Sequence, residues 1–162
     1  MYNVVMENFY VHLNKKVNNN KVIKYLLKKS YYLTRFVEIV YIAMIIDMLI
    51  NPNIPNYYDF IYKPLIVLLL IIIIRKLYDT PRPFEKYHFD PIIEHDTGHS
   101  FPSKHSASSL IIALVFYKYI PIMSILLIII SILIGLSRVL SGIHHIKDVL
   151  FGYLIAIIIF LI

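Results

Sequence analysis

The chain has 162 residues, a length typical of a single domain, and 59% of them are hydrophobic. Several apolar runs approach membrane-spanning length, so a soluble globular core explains them poorly. The chain has no cysteine, which excludes disulfides, thiolate metal sites and a cysteine nucleophile. Its net charge of +6 would suit nucleic acid, but in a membrane protein it more often reflects positive loops and anionic lipid. We therefore predict a lipid bilayer as partner and no nucleic acid.

Residues 1–30 are predicted to be an interfacial N-terminal segment. A helix from Met1 to about Asn14 is indicated by apolar side chains at helical spacing: Tyr2, Val5, Met6, Phe9 and Leu13. Such a helix suits the membrane interface, and an ordinary packed helix is the alternative. Lys15-Lys16 and the asparagines at 18–20 predict its end. A basic run that faces lipid headgroups follows: Lys21, Lys24, Lys28 and Lys29.

Residues 31–162 are predicted to form an all-α integral membrane bundle of about five spans. The spans are predicted at Tyr31–Ile50, Tyr57–Ile74, Ser106–Tyr119, Ile122–Leu136 and Val149–Ile162. The last three are short for a hydrocarbon core of about 30 Å, and they become long enough if the polar residues at their ends continue the helices. The first two spans are joined by a predicted turn at Asn51–Asn56.

Several charged and polar residues of the predicted bundle are interpreted as structural or surface residues and not as part of a catalytic site. Arg35 and Glu38 are three residues apart and are predicted to pair, as a structural ion pair inside the bundle. Lys63 lies near the start of its span and could extend its ammonium toward the interface. The stretch 77–104 contains four prolines and is too broken for a long helix. Its histidines lack metal-ligand spacing and are interpreted as surface or gating residues, with no metal site predicted: His88, His95 and His99.

Three polar clusters lie at the ends of predicted spans. Arg75 and Arg82-Pro83 follow the second span, residues 101–105 precede the third, and residues 137–148 join the fourth and fifth. Charged groups so close to lipid are costly and usually functional. If neighbouring spans are antiparallel, the three clusters lie on one membrane face and can converge.

The residue types in these clusters suit phosphoryl transfer without a metal. If a helix starts just after Gly142, His144 and Asp148 share a face, and the carboxylate can hold one ring nitrogen while the other reacts. Arg138 can bind two phosphate oxygens. Pro102 and Ser103 suit a helix start, where free backbone N–H groups favour an anion. One histidine could attack phosphorus and another could protonate the leaving oxygen.

These residues resemble the type 2 phosphatidic acid phosphatase (PAP2) superfamily over residues 57–162. The family pattern is Lys-x6-Arg-Pro, then Pro-Ser-Gly-His, then Ser-Arg-x5-His-x3-Asp. The third motif matches completely, from Ser137 to Asp148. The first has Arg75 in place of lysine, and the second has Lys104 in place of glycine. One motif alone is weakly specific, whereas the ordered triplet at span ends is strongly specific.

The resemblance implies a helical core shared with vanadium haloperoxidases, and it implies residue roles. His144 is the nucleophile, Asp148 orients it, and His105 is the general acid. The phosphate-binding residues are Arg75, Arg82, Ser103, Lys104 and Arg138. Arg75 keeps the charge of the family lysine, whereas Lys104 replaces a glycine whose backbone freedom lysine lacks, although it adds a cation. His145 lies outside the pattern and is interpreted as a spare interfacial histidine.

The predicted function is that of a metal-independent membrane lipid phosphatase with no cofactor. It would hydrolyse a phosphomonoester or pyrophosphate on undecaprenyl diphosphate, phosphatidate or phosphatidylglycerol phosphate, through a phosphohistidine. The absence of extra soluble domains favours undecaprenyl diphosphate or a similar simple lipid. The alternatives are a catalytically weak protein that binds lipid phosphates and a vanadate-dependent haloperoxidase-like enzyme.

Charge and resemblance predict different sides of the cell membrane for the site of this multi-pass protein. With five spans, the N-terminus and the three clusters share one face. Once four motif cations are set aside, that face carries ten Lys and Arg residues, against Lys63 and Lys118 on the other. The positive-inside rule places the richer face in the cytoplasm, which we favour, whereas the resemblance implies the outer face. The sequence leaves the oligomeric state open.

Overall fold

A computed structural model describes residues 2–51 and 58–162, and every regular element in those ranges is helical. The eight α-helices are α1 (Tyr2–Asn19), α2 (Lys21–Lys29), α3 (Tyr31–Ile50), α4 (Tyr58–Leu77), α5 (Pro83–Lys86), α6 (Lys104–Val115), α7 (Pro121–Leu140) and α8 (Ile146–Leu161). A 3₁₀ turn at Phe116–Lys118 follows α6. The all-α prediction is confirmed. Met1 and most of the turn predicted at Asn51–Asn56 lie outside the described residues.

Helix α6 is the centre of the bundle and packs against α3, α4, α7 and α8. Its sequence is rich in serine and alanine, and such small side chains let neighbouring helices approach closely. Two buried hydroxyl contacts tie it to α7: Ser109 Oγ lies 2.7 Å from Ser131 Oγ, and Ser124 Oγ donates to Ala113 O at 2.8 Å. On the α8 side, a methyl group on Gly152 would lie 2.8 Å from Ser103 O. Glycine there lets α8 contact the start of α6.

The outer helices present a continuous apolar surface. Large aliphatic side chains are exposed along α3, α4, α7 and α8, including Ile39, Leu69, Ile129 and Leu154. An exposed apolar surface of this extent is typical of a protein whose solvent is lipid. Within the described ranges, α7 is the one helix that is long and apolar enough on its own to cross a membrane. The count of five spans remains a prediction.

The predicted helix ends were wrong at several positions because polar motif residues continue the helices. Helix α4 extends three residues beyond Ile74 and includes Arg75 in its last turn. Helix α7 continues past Leu136 through Arg138, and α8 begins at Ile146 and includes Asp148. Helix α6 begins two residues earlier than predicted and ends at Val115. Arg75, Arg138 and Asp148 therefore lie within the terminal turns of helices, which restricts their directions.

The N-terminal helix is longer than predicted and packs on the motif side of the bundle. Lys15 and Lys16 do not end α1, because lysine is a good helix former. The break falls at Asn20, whose side chain accepts hydrogen bonds from the first amides of α2. The buried face of α1 is formed by Tyr10, Asn14 and Val17, whereas the predicted apolar residues Val5 and Phe9 are exposed.

Three charged residues, Arg35, Glu38 and Lys63, behave differently from the predictions. Arg35 and Glu38 do pair, at 2.7 Å, but their side chains are 69% and 45% exposed, so the pair does not lie inside the bundle. Lys63 does not extend to the interface, since it is buried and its Nζ donates to Phe160 O at 2.8 Å. The last carbonyls of α8 have no intrahelical donors, and a buried ammonium satisfies one of them.

Candidate active site

The three motif clusters meet at one end of the bundle through backbone contacts. Arg75 Nε donates to Pro102 O at 2.9 Å, which joins the end of α4 to the start of α6. Ser103 N donates to Asp148 O at 2.9 Å, which joins α6 to α8. Arg82 Nη1 donates to Ile143 O at 2.9 Å and holds the turn between α7 and α8. The predicted convergence of the clusters is found in the structure.

The turn between α7 and α8 is shaped by Gly142. Its φ of +75° is favourable for glycine, and a Cβ there would lie 2.6 Å from the ring of Phe89. The carbonyl of Arg138 accepts from the amides of Ile143 and His144. The helix expected just after Gly142 begins later, at Ile146, so His144 lies in the turn and Asp148 in the first turn of α8.

His144 lies between a carboxylate and a guanidinium, and 1% of its surface is exposed. Its Nδ1 is 3.6 Å from Asp148 Oδ2 and 3.5 Å from Ser100 Oγ. Its Nε2 is 3.5 Å from Arg82 Nη1. A proton on Nδ1, facing the carboxylate, leaves the lone pair on Nε2, on the side of the arginine. The imidazole is therefore directed at the place where an arginine-bound anion would lie.

Asp148 is fully buried and is held by a residue that the sequence analysis missed. Ser100 Oγ donates to Asp148 Oδ2 at 2.5 Å, and His145 N donates to the same oxygen at 2.8 Å. Ser100 is itself fully buried. It lies outside the three motifs, although its position just before Phe101-Pro102 was a signal, since the chain there leads directly into a motif.

Two of the arginines have a buried N–H donor with no acceptor among the described residues. Arg82 and Arg138 are buried, yet the Nε of each has no hydrogen-bond partner within the described part of the chain. Arg138 Nη2 donates to Thr34 Oγ1 at 3.2 Å, so α3 also supports the site. Buried polar groups without partners are rare and call for an explanation. An anion bound between these guanidinium groups would provide one.

The start of α6 holds the remaining predicted residues. Ser103 is the N-cap, and its Oγ lies 2.9 Å from Ser106 Oγ, so its hydroxyl serves the cap. Lys104 is the first helical residue and is exposed. Burial and the neighbouring Arg138 guanidinium lower the pKa of His105 to about 3. His105 and Lys104 line a pocket of about 180 Å³ between α3 and α6.

The other histidines lie apart from this cluster or support it indirectly. His145 is not a spare interfacial residue, because it is 7% exposed and its Nε2 lies 3.3 Å from Pro81 O. His99 pairs with Asp79 at 3.1 Å on the surface, and His88 is exposed. In residues 2–51 and 58–162, no group of three or more His, Asp or Glu side chains is arranged to hold a metal ion.

Burial decides the protonation of His144. Desolvation lowers the pKa of His144 to about 4, and its hydrogen bond with Asp148 opposes this shift only in part. Burial also lowers the pKa of Arg82, whose guanidinium nevertheless stays charged at neutral pH. The imidazole is therefore neutral at pH 7, the form in which a histidine can act as a nucleophile.

Comparison with known proteins assigns the chain to a family. Residues 56–162 match the PAP2 superfamily. The chain belongs to the PAP2 superfamily. The resemblance seen in the three motifs is thereby confirmed. The matched region includes the end of α4, the start of α6 and the α7–α8 turn. Phosphatidylglycerophosphatase B of Bacillus subtilis (strain 168) is 34% identical over 83 residues, which are 44% of this chain and 40% of that protein.

Two solved structures share the fold of this PAP2 protein. Aquifex aeolicus LpxE superposes with a TM-score of 0.69 at 23% identity, covering 93% of this chain and 92% of that one. A transmembrane PAP2 type phosphatidylglycerolphosphate phosphatase from Bacillus subtilis superposes with a TM-score of 0.61 at 21% identity, covering 98% and 92%. At these identities the comparison establishes the fold, an all-helical membrane bundle.

Replacement of Ser100 tests whether its hydroxyl positions Asp148. We expect Ser100→Ala to lower kcat by about tenfold to hundredfold with little change in KM, because a buried carboxylate loses a charge-assisted hydrogen bond. The measurement is steady-state hydrolysis of a lipid phosphate in detergent. Ser124→Ala is the matched control, since Ser124 is also buried and hydrogen bonded but lies at the far end of α7. Equal losses in both variants would contradict a specific role.

The lowered pKa of His144 predicts a pH-dependent stability. The unfolded chain, with an ordinary pKa near 6.5, binds a proton that the folded chain does not bind until about pH 4. The free energy of unfolding should therefore fall as pH decreases from about 6.5 to 4, by on the order of 2–3 kcal/mol from this residue. Thermal unfolding in detergent should show a weaker pH dependence for His144→Gln than for the wild type. His88→Gln, at an exposed position, should leave it unchanged.

Proposed function

We propose that this PAP2 protein is a membrane lipid phosphatase that transfers a phosphoryl group to His144 and then to water. The observation that supports this most directly is the environment of His144. Its Nδ1 side faces Asp148 and its Nε2 side faces Arg82, inside a cluster of arginines with unused buried donors. A neutral imidazole aimed at an anion site is what nucleophilic attack on a phosphate requires.

In the first step, His144 Nε2 attacks phosphorus and the bond from phosphorus to the leaving oxygen breaks. Asp148 stabilises the positive charge that develops on the imidazole. The arginines 75, 82 and 138, with the first amides of α6, neutralise the equatorial phosphate oxygens. The negative charge of the bound phosphate raises the pKa of His105, which takes up a proton as the substrate binds. His105 then donates this proton to the leaving oxygen, so the first product departs as an alcohol or a phosphate.

In the second step, water attacks the phosphohistidine and restores the imidazole. His105, now unprotonated, accepts a proton from that water as the new oxygen–phosphorus bond forms and the nitrogen–phosphorus bond breaks. Inorganic phosphate leaves with one oxygen from water, and His105 is protonated again. One histidine serves as acid and then as base, so the cycle needs no external proton carrier.

The proposed substrate class is a lipid that carries a terminal phosphoryl group, because the site lies at the end of a bundle with a lipid-facing surface. Undecaprenyl diphosphate is one member of this class, and the name of the Bacillus subtilis relative points to another, phosphatidylglycerol phosphate. Phosphatidate is the third member of the class. The three lipids differ in the leaving group that receives the proton of His105. A direct comparison of their kcat/KM values shows which lipid is the preferred substrate.

The test of the proposed activity is phosphate release from these lipids by the purified protein in detergent. We expect turnover to persist in EDTA, because arginines supply the positive charge that a metal would otherwise provide. Vanadate should inhibit, because it adopts the trigonal-bipyramidal geometry of the transition state. Lipid binding without phosphate release would instead identify a catalytically weak binding protein. Peroxide-dependent halide oxidation with vanadate bound would identify a haloperoxidase-like enzyme.

The two histidines should differ in their dependence on the leaving group. We expect His144→Ala to abolish turnover of every substrate, because no nucleophile replaces it. His105→Ala should lower kcat by about 10²–10⁴ for a lipid phosphate, and by much less for p-nitrophenyl phosphate, whose leaving group needs no proton. His88→Ala is the matched control. Near-normal activity of His144→Ala would refute the phosphohistidine mechanism.

We also propose that the site faces the cytoplasm and that residues 1–30 form an interfacial segment distinct from the phosphatase domain at 31–162. Asn14 Nδ2 donates to Asp90 O at 3.0 Å, a contact that supports placing the N-terminal segment and the 77–104 stretch on one side. At the opposite end, Lys118 pairs with Asp59 at 2.8 Å, in keeping with the few cations expected there. The excess of cations on the site's side supports the cytoplasmic assignment.

Single cysteines introduced at Asn19 and Glu94 test this orientation in a chain that has no cysteine of its own. Both positions are exposed. We expect neither cysteine to react with a membrane-impermeant thiol reagent in intact cells, and both to react after lysis. Reaction at Glu94 in intact cells would place the site outside. Reaction at only one of the two would contradict the proposed span arrangement.

A further inference from the structure

A second pocket lies behind His145, on the side away from His144, and we call it the α1–α8 pocket. It has a volume of about 330 Å³ and lies between α1, the end of α5 and the start of α8. Its lining residues are Met6, Tyr10, Lys86, Tyr87, His145, Ile146, Lys147 and Leu150. None of these belongs to the predicted phosphate site.

The back wall of the pocket is buried and rigid. The rings of Tyr10 and Tyr87 stack at 5.6 Å with an interplanar angle of 13°. The ring of His145 lies edge-on to Tyr10 at 5.3 Å. Tyr10 Oη also accepts a hydrogen bond from Ile146 N at 3.0 Å, which fastens α1 to the first turn of α8. A wall held by these contacts forms a preformed site.

The charge of the pocket is positive and is not balanced locally. Lys86 and Lys147 are exposed, and among the described residues neither has a carboxylate within ion-pair distance. No acidic side chain lines the pocket. The nearby carboxylate of Asp148 is buried and accepts hydrogen bonds from Ser100 and His145. The Lys86 ammonium lies over the ring of Tyr87, 5.5 Å from its centroid, which leaves its charge uncompensated. Two ammonium groups without a carboxylate partner in one pocket favour an anion.

Part of the pocket lining is apolar and continues into the lipid-facing surface. It consists of Met6, Ile146 and Leu150, of which Leu150 is 60% exposed. One turn further along α8, Leu154 is also exposed. A ligand in this pocket therefore meets cations on one side and hydrocarbon on the other. That combination matches an amphiphile at the membrane interface and not a small soluble anion.

We propose that the α1–α8 pocket binds an anionic phospholipid, with the phosphate between Lys86 and Lys147 and an acyl chain along the exposed face of α8. This accessory lipid is separate from the substrate. The site would exist whether or not the protein is a phosphatase, and it is tested by binding. Failure of this proposal and failure of the proposed activity are thus distinguishable.

The experiment measures binding to the purified full chain in a neutral detergent. The probes are dioleoyl phosphatidylglycerol, dioleoyl phosphatidylcholine and inorganic phosphate, each titrated while bound lipid is counted by native mass spectrometry and the apparent Tm is followed. We expect phosphatidylglycerol to bind and to raise the Tm, and phosphatidylcholine to do neither. Inorganic phosphate can occupy the arginine site, so it is used as a competitor, and we expect it not to displace bound phosphatidylglycerol. Equal binding of phosphatidylcholine would refute charge recognition, and displacement of phosphatidylglycerol by inorganic phosphate would refute the lipid assignment.

Two double variants test whether phosphatidylglycerol binds in the α1–α8 pocket. We expect Lys86→Ala combined with Lys147→Ala to weaken phosphatidylglycerol binding about thirtyfold. The reason is that the two lysines near an anionic headgroup make similar contributions to the binding free energy. Lys15→Ala combined with Lys16→Ala is the matched control, because it removes the same charge from exposed positions of α1 outside the pocket. Equal weakening in both double variants would overturn the proposal in favour of general electrostatic attraction.

A third variant separates shape from charge. Met6→Trp keeps both lysines and fills the pocket from its apolar side. We expect it also to weaken phosphatidylglycerol binding, by tenfold or more, while the apparent Tm without lipid stays close to that of the wild type. Unchanged binding by Met6→Trp would show that the lipid does not enter the pocket.

Discussion

Asp148 is the one acidic side chain among the fully buried residues that the structure describes, and the site depends on its burial. Two buried arginines and a buried histidine would be costly without a counter-charge, since an isolated charge is poorly solvated in the protein interior. The carboxylate in turn requires donors, which Ser100 and the His145 amide provide. Each charged group therefore fixes the position of another.

This electrostatic arrangement requires close helix packing, which the composition of α6 allows. Small side chains on α6 and Gly152 on α8 bring the two helix starts together, so Ser103 N reaches Asp148 O. If α8 lay further from α6, the Asp148 carboxylate would no longer accept a hydrogen bond from Ser100, and it would no longer orient His144. The apolar lipid-facing surface and the polar site are thus linked through the same helices.

Much of the site could be predicted because its spacing has a direct geometric meaning. His144 and Asp148 are four residues apart, a spacing that predicted their proximity. The helix begins at Ile146 and not just after Gly142, yet His144 Nδ1 still lies 3.6 Å from Asp148 Oδ2. Ser100, by contrast, belongs to no periodic pattern and reaches Asp148 only through the fold of the 77–104 stretch. The burial of His145 and Lys63 also escaped prediction, because both depend on partners more than sixty residues away. Local pattern predicted the helices, whereas tertiary contacts decided which polar residues became buried.

The two departures from the family pattern are both compatible with an intact site. Arg75 uses Nε to hold Pro102 O, and the described contacts leave its two terminal nitrogens available for an anion, whereas a lysine would have a single nitrogen for both tasks. Lys104 does not need the backbone freedom of glycine, because it is the first residue of a regular helix. The positive-φ residues of the described chain lie elsewhere, at His88, Gly98, His99 and Gly142. The lysine therefore adds a cation beside His105 without backbone strain, and its charge helps to lower the pKa of His105.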